Sequence, residues 1–258
     1  MLKVVEAFSG IGAQKQALEK LNIEHEIINT IEWDINAIYA YDIMHHNDNS
    51  PSKLSKHEII ERLANVTLSP DGKKPFSDNG LYRIKEEKLQ KLYAAIRRNN
   101  NLCDITQVSG DMIPDDTDLL TYSFPCQDLS IGSVWYNKDN DGIRKGAKTR
   151  SGLLWEIERI LRERIMINVP LPKFLLMENV NAITSPKHNP NFVQWQEELE
   201  SMGYTNKVYK GLNALDFGVP QSRSRTFMLS IRNKDIEPEE ISNLNYNIQS
   251  NLGDYLRF

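Results

Sequence analysis

Only two cysteines, Cys103 and Cys126, occur among 258 residues, too few for a disulfide-stapled scaffold. The opening MLKVVEAFSG has no secretory cleavage pattern, so the expectation is reduced thiols in the cytoplasm. No apolar run approaches the roughly 18 residues that a membrane span needs, and no membrane partner is expected. No Cys/His cluster has metal-ligand spacing, so no metal is expected either. The chain also lacks a positive balance: 31 Lys and Arg stand against 35 Asp and Glu, a net charge of −4. A nucleic-acid partner would therefore have to be met by a local basic patch. Repeats and low-complexity tracts are absent, which leaves an ordinary folded domain.

What is present is an alternation of strands and helices. Lys3 to Phe8 reads as an apolar strand and Ser9-Gly10-Ile11-Gly12-Ala13 as a tight turn. An amphipathic helix follows, with Ala17, Leu18 and Leu21 on one face. A strand through Ile27, Ile28 and Ile31 and a helix from Asp34 through Tyr41 complete a βαβα opening, which favours a mostly parallel sheet with helices on both faces. Residues 48–103 read as an insertion, with two polar helical stretches near 55–65 and 85–98 around a turn-rich region at 69–80. The sheet resumes at Asp118–Ser123, and a glycine- and charge-rich loop runs to about Arg150. A helix is expected at 152–165, a strand at Lys173–Glu178, a helix at 191–202 and strands at 204–212 and 225–231. The expected domain is 1–233, with a weakly patterned tail at 234–258.

Two groups of residues carry chemistry. Phe8, Gly10, Ile11 and Gly12 lie between the first strand and first helix, where an open α/β sheet binds its ligand. The pattern is not GxGxxG, and an ordinary βα turn reads the same way. Glu32 ends the second strand about 20 positions beyond the glycines, suited to ribose hydroxyls, and Trp33 beside it suits an adenine face. Asp104-Ile105 is expected at another strand end, where the carboxylate could accept from an adenine amino group; taken alone, Asp104 reads as a turn or cap residue. Together these favour an adenosine-containing ligand.

The second group begins with Ser123-Phe124-Pro125-Cys126-Gln127, after an apolar strand. A cysteine on such a stiff backbone among polar neighbours suits a small buried hydrophobe poorly, and as a thiolate it is a strong nucleophile. Glu178 ends another apolar strand, on the same sheet edge; a structural salt bridge is the bland alternative. Arg223 and Arg225, in Gln221-Ser222-Arg223-Ser224-Arg225, alternate at a strand entrance and suit a phosphate or carbonyl oxygen, although ordinary surface arginines are the commoner reading. The stretch Lys138 to Arg150 holds Lys138, Arg144, Lys145, Lys148 and Arg150, a solvated loop unless its place after Cys126 gives it a role.

FSGIG, EWD, DI, PCQ, TRSGLLWE, ENV and QSRSR, in this order, resemble the cytosine-C5 DNA methyltransferases over residues 3–233. The insertion and LLTYSFPCQDLS are similar to the CG-specific mollicute subgroup. The resemblance implies a Rossmann-like S-adenosylmethionine-dependent methyltransferase fold, with duplex DNA as partner. Phe8, Gly10, Ile11 and Gly12 would form the cofactor loop, Glu32 would hold the ribose, and Trp33, Asp104 and Ile105 would meet the adenine. Leu153 would line the cofactor pocket. Cys126 would attack C6 of a flipped cytosine, Glu178 would meet N3, and Arg225, supported by Arg223, would contact the base or the nucleophile loop. The Lys138–Arg150 loop would close over the base.

Family members also carry a target-recognition region and a final GNS-type segment, and no GNS occurs in these 258 residues. A second polypeptide supplying both is expected; a shortened gene product or a small stand-alone protein are the other readings. A tRNA cytosine-C5 methyltransferase and a non-catalytic regulatory module of the same fold remain the alternatives in function.

Overall fold

The computed structural model describes residues 1–126, 129, 142–146 and 149–232. In chain order the elements are β1 (Leu2–Ala7), α1 (Ala13–Lys20), β2 (His25–Ile31), α2 (Ile35–His45), α3 (Lys56–Arg62), α4 (Glu86–Arg98) and β3 (Leu119–Tyr122). They continue with α5 (Leu154–Met166), β4 (Phe174–Val180), α6 (Asn189–Ser201), β5 (Thr205–Asn213) and β6 (Ser224–Ile231). The strands and helices expected from the pattern are present, with ends a few residues away, except the strand expected to end at Asp104-Ile105. Gln127, Asp128 and Ser130, the loop residues Lys138 and Lys148, and the tail 234–258 lie outside the described residues. No described helix is long and apolar enough to cross a membrane, and no described cluster could hold a metal ion.

The chain divides into two compact units: Met1–Tyr122 with Arg159–Pro172, and Ser123–Glu158 with Lys173–Phe258. In the first, β1 pairs in parallel with both β2 and β3, Val4 opposite Ile27 on one side and Leu119 on the other. Val4 and Val5 are both fully buried, as a strand covered on two faces requires. Glu6 interrupts that apolar run. Its carboxylate accepts from Tyr41 Oη (2.6 Å) and from the amide of Lys15 (2.9 Å), which makes its burial tolerable.

The insertion is not an appendage. Ile59 of α3, Leu63 at its C-cap, and Leu89 and Leu92 of α4 share one core with Ile35 and Ile38 of α2. Ser55 and Glu58 form a capping box at the start of α3. Arg98 closes the layer with two hydrogen bonds to Asp42, at 2.9 and 3.0 Å.

Two expectations fail in this unit. The face of α1 expected to be covered is open: Leu21 is 66% exposed, Ala17 is exposed and Leu18 is only half-buried. The helix ends at Lys20, so Leu21 falls at its C-cap, outside the last regular turn. Asp104-Ile105 is not a strand end. Asp104 caps a single 3₁₀ turn, Ile105–Gln107, because its carboxylate bonds the amide of Thr106 instead of leaving the backbone free to pair.

In the second unit β4 and β5 both run antiparallel to β6, making β6 the reversed strand. Burial alternates along β4, with Leu175, Met177 and Asn179 inward and Leu176 and Glu178 half-exposed. α6 opens with Pro190 in its first turn and buries Phe192, Trp195 and Leu199. Trp195 meets Trp155 edge-on at 5.7 Å. Lys145 bridges Glu158 (2.8 Å) and Glu198 (2.9 Å) above the Trp155 ring, so part of the charge-rich loop is a fixed anchor.

Candidate active site

The first unit carries the loop Phe8–Gly12. Phe8, Gly10 and Gly12 all have positive φ (55°, 53° and 81°), and Phe8 is the costly one, because its Cβ crowds the left-handed backbone. A side chain at Gly12 is impossible as packed: a Cβ there would lie 2.2 Å from His45 Nε2 and 2.8 Å from the Tyr41 ring. Beside Gly10 a Cβ would meet nothing within 4 Å, so open space adjoins the backbone that a ligand would approach. Ile11, in the same loop, is 51% exposed, and its carbonyl lies 2.9 Å from His45 Nε2.

Glu32 is the centre of this site. Its Oε2 accepts from the amide of Gly10 (3.1 Å) and its Oε1 from that of Asp34 (2.8 Å). Burial pushes its carboxyl above the ordinary value of 4.5, while those two amides pull the other way. Asn101 fixes the backbone of Glu32 from both sides, accepting from its amide and donating to its carbonyl, both at 3.0 Å. Trp33 is half-buried, and its carbonyl accepts from the amide of Ser69 at 2.8 Å. The insertion therefore reaches this site, and it does so twice: the amide of Thr67 donates to Gln107 of the neighbouring turn at 3.2 Å. In that turn Asp104 is half-buried and Ile105 is buried; Asp104 Oδ1 accepts from both Thr106 groups.

The second unit carries the nucleophile candidate. Cys126 is partly exposed, whereas Cys103 is buried, with its thiol pushed up to about 12 by desolvation. The two carbonyls before Cys126 are both held: Asn179 Nδ2 donates to that of Phe124 (3.0 Å), and Ser151 Oγ to that of Pro125 (2.7 Å). Leu129 donates its amide to the Cys126 carbonyl at 3.0 Å. Glu178, one residue before Asn179, lies 3.0 Å from Arg225 Nε and 3.7 Å from Arg223 Nη2. The β4–β6 register brings this about, since Val180 stands opposite Arg225. Leu153 is half-buried in the 3₁₀ turn Ser151–Leu153 of this same unit.

Asn101, Ser151 and Asn179 were missed as positioning groups. Asn179 belongs to the ENV motif and Ser151 to TRSGLLWE, but nothing in their spacing signals a bond to a distant carbonyl.

The fold is that of known methyltransferases. Dnmt2 from S. pombe matches with a TM-score of 0.55 at 21% identity, over 93% of this chain and 53% of that one. The methyltransferase EhMeth of Entamoeba histolytica matches with a TM-score of 0.55 at 18% identity, over 100% and 60%. The family follows from sequence: the model of the C-5 cytosine-specific DNA methylases matches residues 81–257, and the chain belongs to that family. It is 43% identical over 243 residues to the orphan methyltransferase M.SssI of Spiroplasma monobiae, covering 92% of this chain. It is 38% identical over 237 residues to the type II methyltransferase M2.ScrFI of Lactococcus lactis subsp. cremoris, covering 90%. Spiroplasma is a mollicute, in agreement with the expected subgroup. The chain spans 61% and 62% of the length of these two relatives.

Proposed function

We propose that this chain is the catalytic part of a DNA (cytosine-5-)-methyltransferase of the cytoplasm, with S-adenosylmethionine as cofactor and duplex DNA as substrate. The observation that carries the reading is the pair Glu178-Asn179. One residue presents a carboxylate between two guanidinium groups, and the next ties down the backbone that leads to Cys126.

The loop Phe8–Gly12 and Glu32 fit the cofactor, because open space adjoins Gly10 and a carboxylate lies directly behind its amide. Glu32 would accept from the ribose hydroxyls, Trp33 would stack on the adenine, and Asp104 and Ile105 would meet its edge. The bound cofactor supplies an electrophilic methyl group.

Cytosine C5 is a poor nucleophile until C6 is saturated. The Cys126 thiolate adds to C6 of a cytosine taken out of the stack, and the electron pair released reaches C5. As C6 is attacked a proton from solvent settles on N3, where charge develops; the N3–H then donates to the Glu178 carboxylate, which Arg225, backed by Arg223, keeps aimed. Once C5 carries the methyl group, loss of its proton expels the Cys126 sulfur and frees the base. Fixing the Phe124 and Pro125 carbonyls matters here, since the attacking sulfur must be held close to its reacting geometry.

Target recognition is assigned outside these residues, on a second polypeptide. The net charge of −4 supports this, because a basic surface for phosphates would then be supplied elsewhere. The test is transfer of labelled methyl to duplex DNA and to tRNA, by the chain alone and with the polypeptide encoded beside it. Transfer to DNA only in the mixture is expected. Transfer by the chain alone would remove the partner, transfer to tRNA alone would move the substrate class, and none at all would favour a regulatory module.

A further inference from the structure

The turn that carries Asp104 and Ile105 has little stability of its own. Between Ile105 and Met112 the backbone makes two single 3₁₀ turns, Ile105–Gln107 and Gly110–Met112, and such turns have strained, sparse hydrogen bonds. Besides Thr67 on Gln107 and Arg164 on the Gly110 carbonyl, a pair on α5 holds the segment. Arg159 Nη2 donates to the carbonyls of Ile105 (3.1 Å) and Val108 (2.7 Å), while its Nη1 pairs with Glu163 Oε1 at 2.8 Å. Glu163 then uses its other oxygen to accept from the amide of Gly110 at 2.8 Å. The cation takes carbonyls, the anion takes an amide, and the two side chains fix each other. Contact is so close that a Cβ at Gly110 would sit 2.8 Å from the Arg164 amide and 2.9 Å from the Ile160 carbonyl.

We propose that Arg159, set by Glu163, is a positioning residue for adenine recognition: by fixing the Ile105 carbonyl it holds the turn in which Asp104 is presented to the 6-amino group of the base. The proposal rests on the reading that Asp104 meets adenine. An arginine suits the task better than a lysine, because its planar fork serves two carbonyls and a carboxylate at once.

The experiment uses the 258-residue chain and calorimetric binding of two ligands, S-adenosylhomocysteine and its 6-oxo analogue S-inosylhomocysteine. The unaltered chain should prefer the adenosyl ligand by about tenfold or more, the usual cost of an unmade hydrogen bond to a buried charge. Arg159→Met should bring the ratio close to one, with Arg159→Lys between the two. A purely structural role would weaken both ligands equally; an unchanged ratio overturns the proposal. Should Arg159→Met not fold, Glu163→Gln serves, and there too the ratio must fall several-fold or the proposal fails. Asp104→Ala separates the two claims. If it leaves the ratio intact, or if the unaltered chain binds neither ligand, the adenine reading falls and the proposal with it. If it abolishes the ratio while Arg159→Met does not, the adenine reading stands and only the role of Arg159 is lost.

Discussion

Two carboxylates, one in each unit, are stabilised by opposite means. Glu32 is held by the amides of Gly10 and Asp34, which belong to the backbone and cannot leave. Glu178 is held by Arg225 and Arg223, side chains on flexible stems that stay partly exposed. An amide-held carboxylate suits a ligand that must dock in one pose, since its geometry is set by the fold itself. A guanidinium-held one can change partners when a base arrives, because the charged fork adapts as the carboxylate turns to a new donor. The surroundings of Glu32 are thus built to be rigid and those of Glu178 to be adjustable.

The comparison is sharpened most by Cys126→Ala. Methyl transfer should fall by about three orders of magnitude or more, the scale of losing a nucleophile, while calorimetric cofactor binding stays near that of the unaltered chain. A parallel loss of cofactor binding would break the division of labour between the two units. Next comes Glu32→Ala, which should raise the dissociation constant for S-adenosylhomocysteine by about a hundredfold, since hydrogen bonds to a charged group are lost. An unchanged constant removes Glu32 from the ribose.

Arg225→Ala and Arg223→Ala test the adjustable end against itself. Arg225 lies closer and is less exposed, so its loss should lower turnover by about thirtyfold; the half-exposed Arg223 should cost only a few-fold. Equal effects would mean that distance to Glu178 in this arrangement does not matter.

The smallest effect concerns Glu6. Burial raises its carboxyl above the ordinary 4.5, with Tyr41 and the Lys15 amide pulling it down. A raised carboxyl stabilises the fold while protonated. Its contribution is full below pH 4.5 and is lost as pH rises through the folded-state value. Urea unfolding at a series of pH values should therefore show stability declining above pH 4.5, and Glu6→Gln should flatten that decline. An unaltered slope would assign it to Glu32, whose carboxyl is raised in the same direction.

Much of this was legible in the chain itself. The period-two and period-3.6 patterns locate every described strand and helix, because one-face burial leaves its mark on the sequence at short range. Cys126, Glu32, Glu178 and the two arginines announce themselves through neighbours: proline, glycines, strand ends. The misses have one cause. Leu21 reads as part of the apolar face of α1 although the helix ends a residue before it, and Asp104 reads as a strand end although its own side chain caps a turn. In both, a local termination decided what a periodic pattern continues through.

The sequence by itself determined the order of elements and the family, since these depend on residues close together in the chain. Only the tertiary structure decided what holds the candidate site residues. Asn101 grips Glu32 across 69 positions, Asn179 the Phe124 carbonyl across 55, and Arg159 the Ile105 carbonyl across 54. Backbone amides and carbonyls are the partners in all three bonds. Every residue offers the same backbone groups, so no residue type marks which one a distant side chain will find.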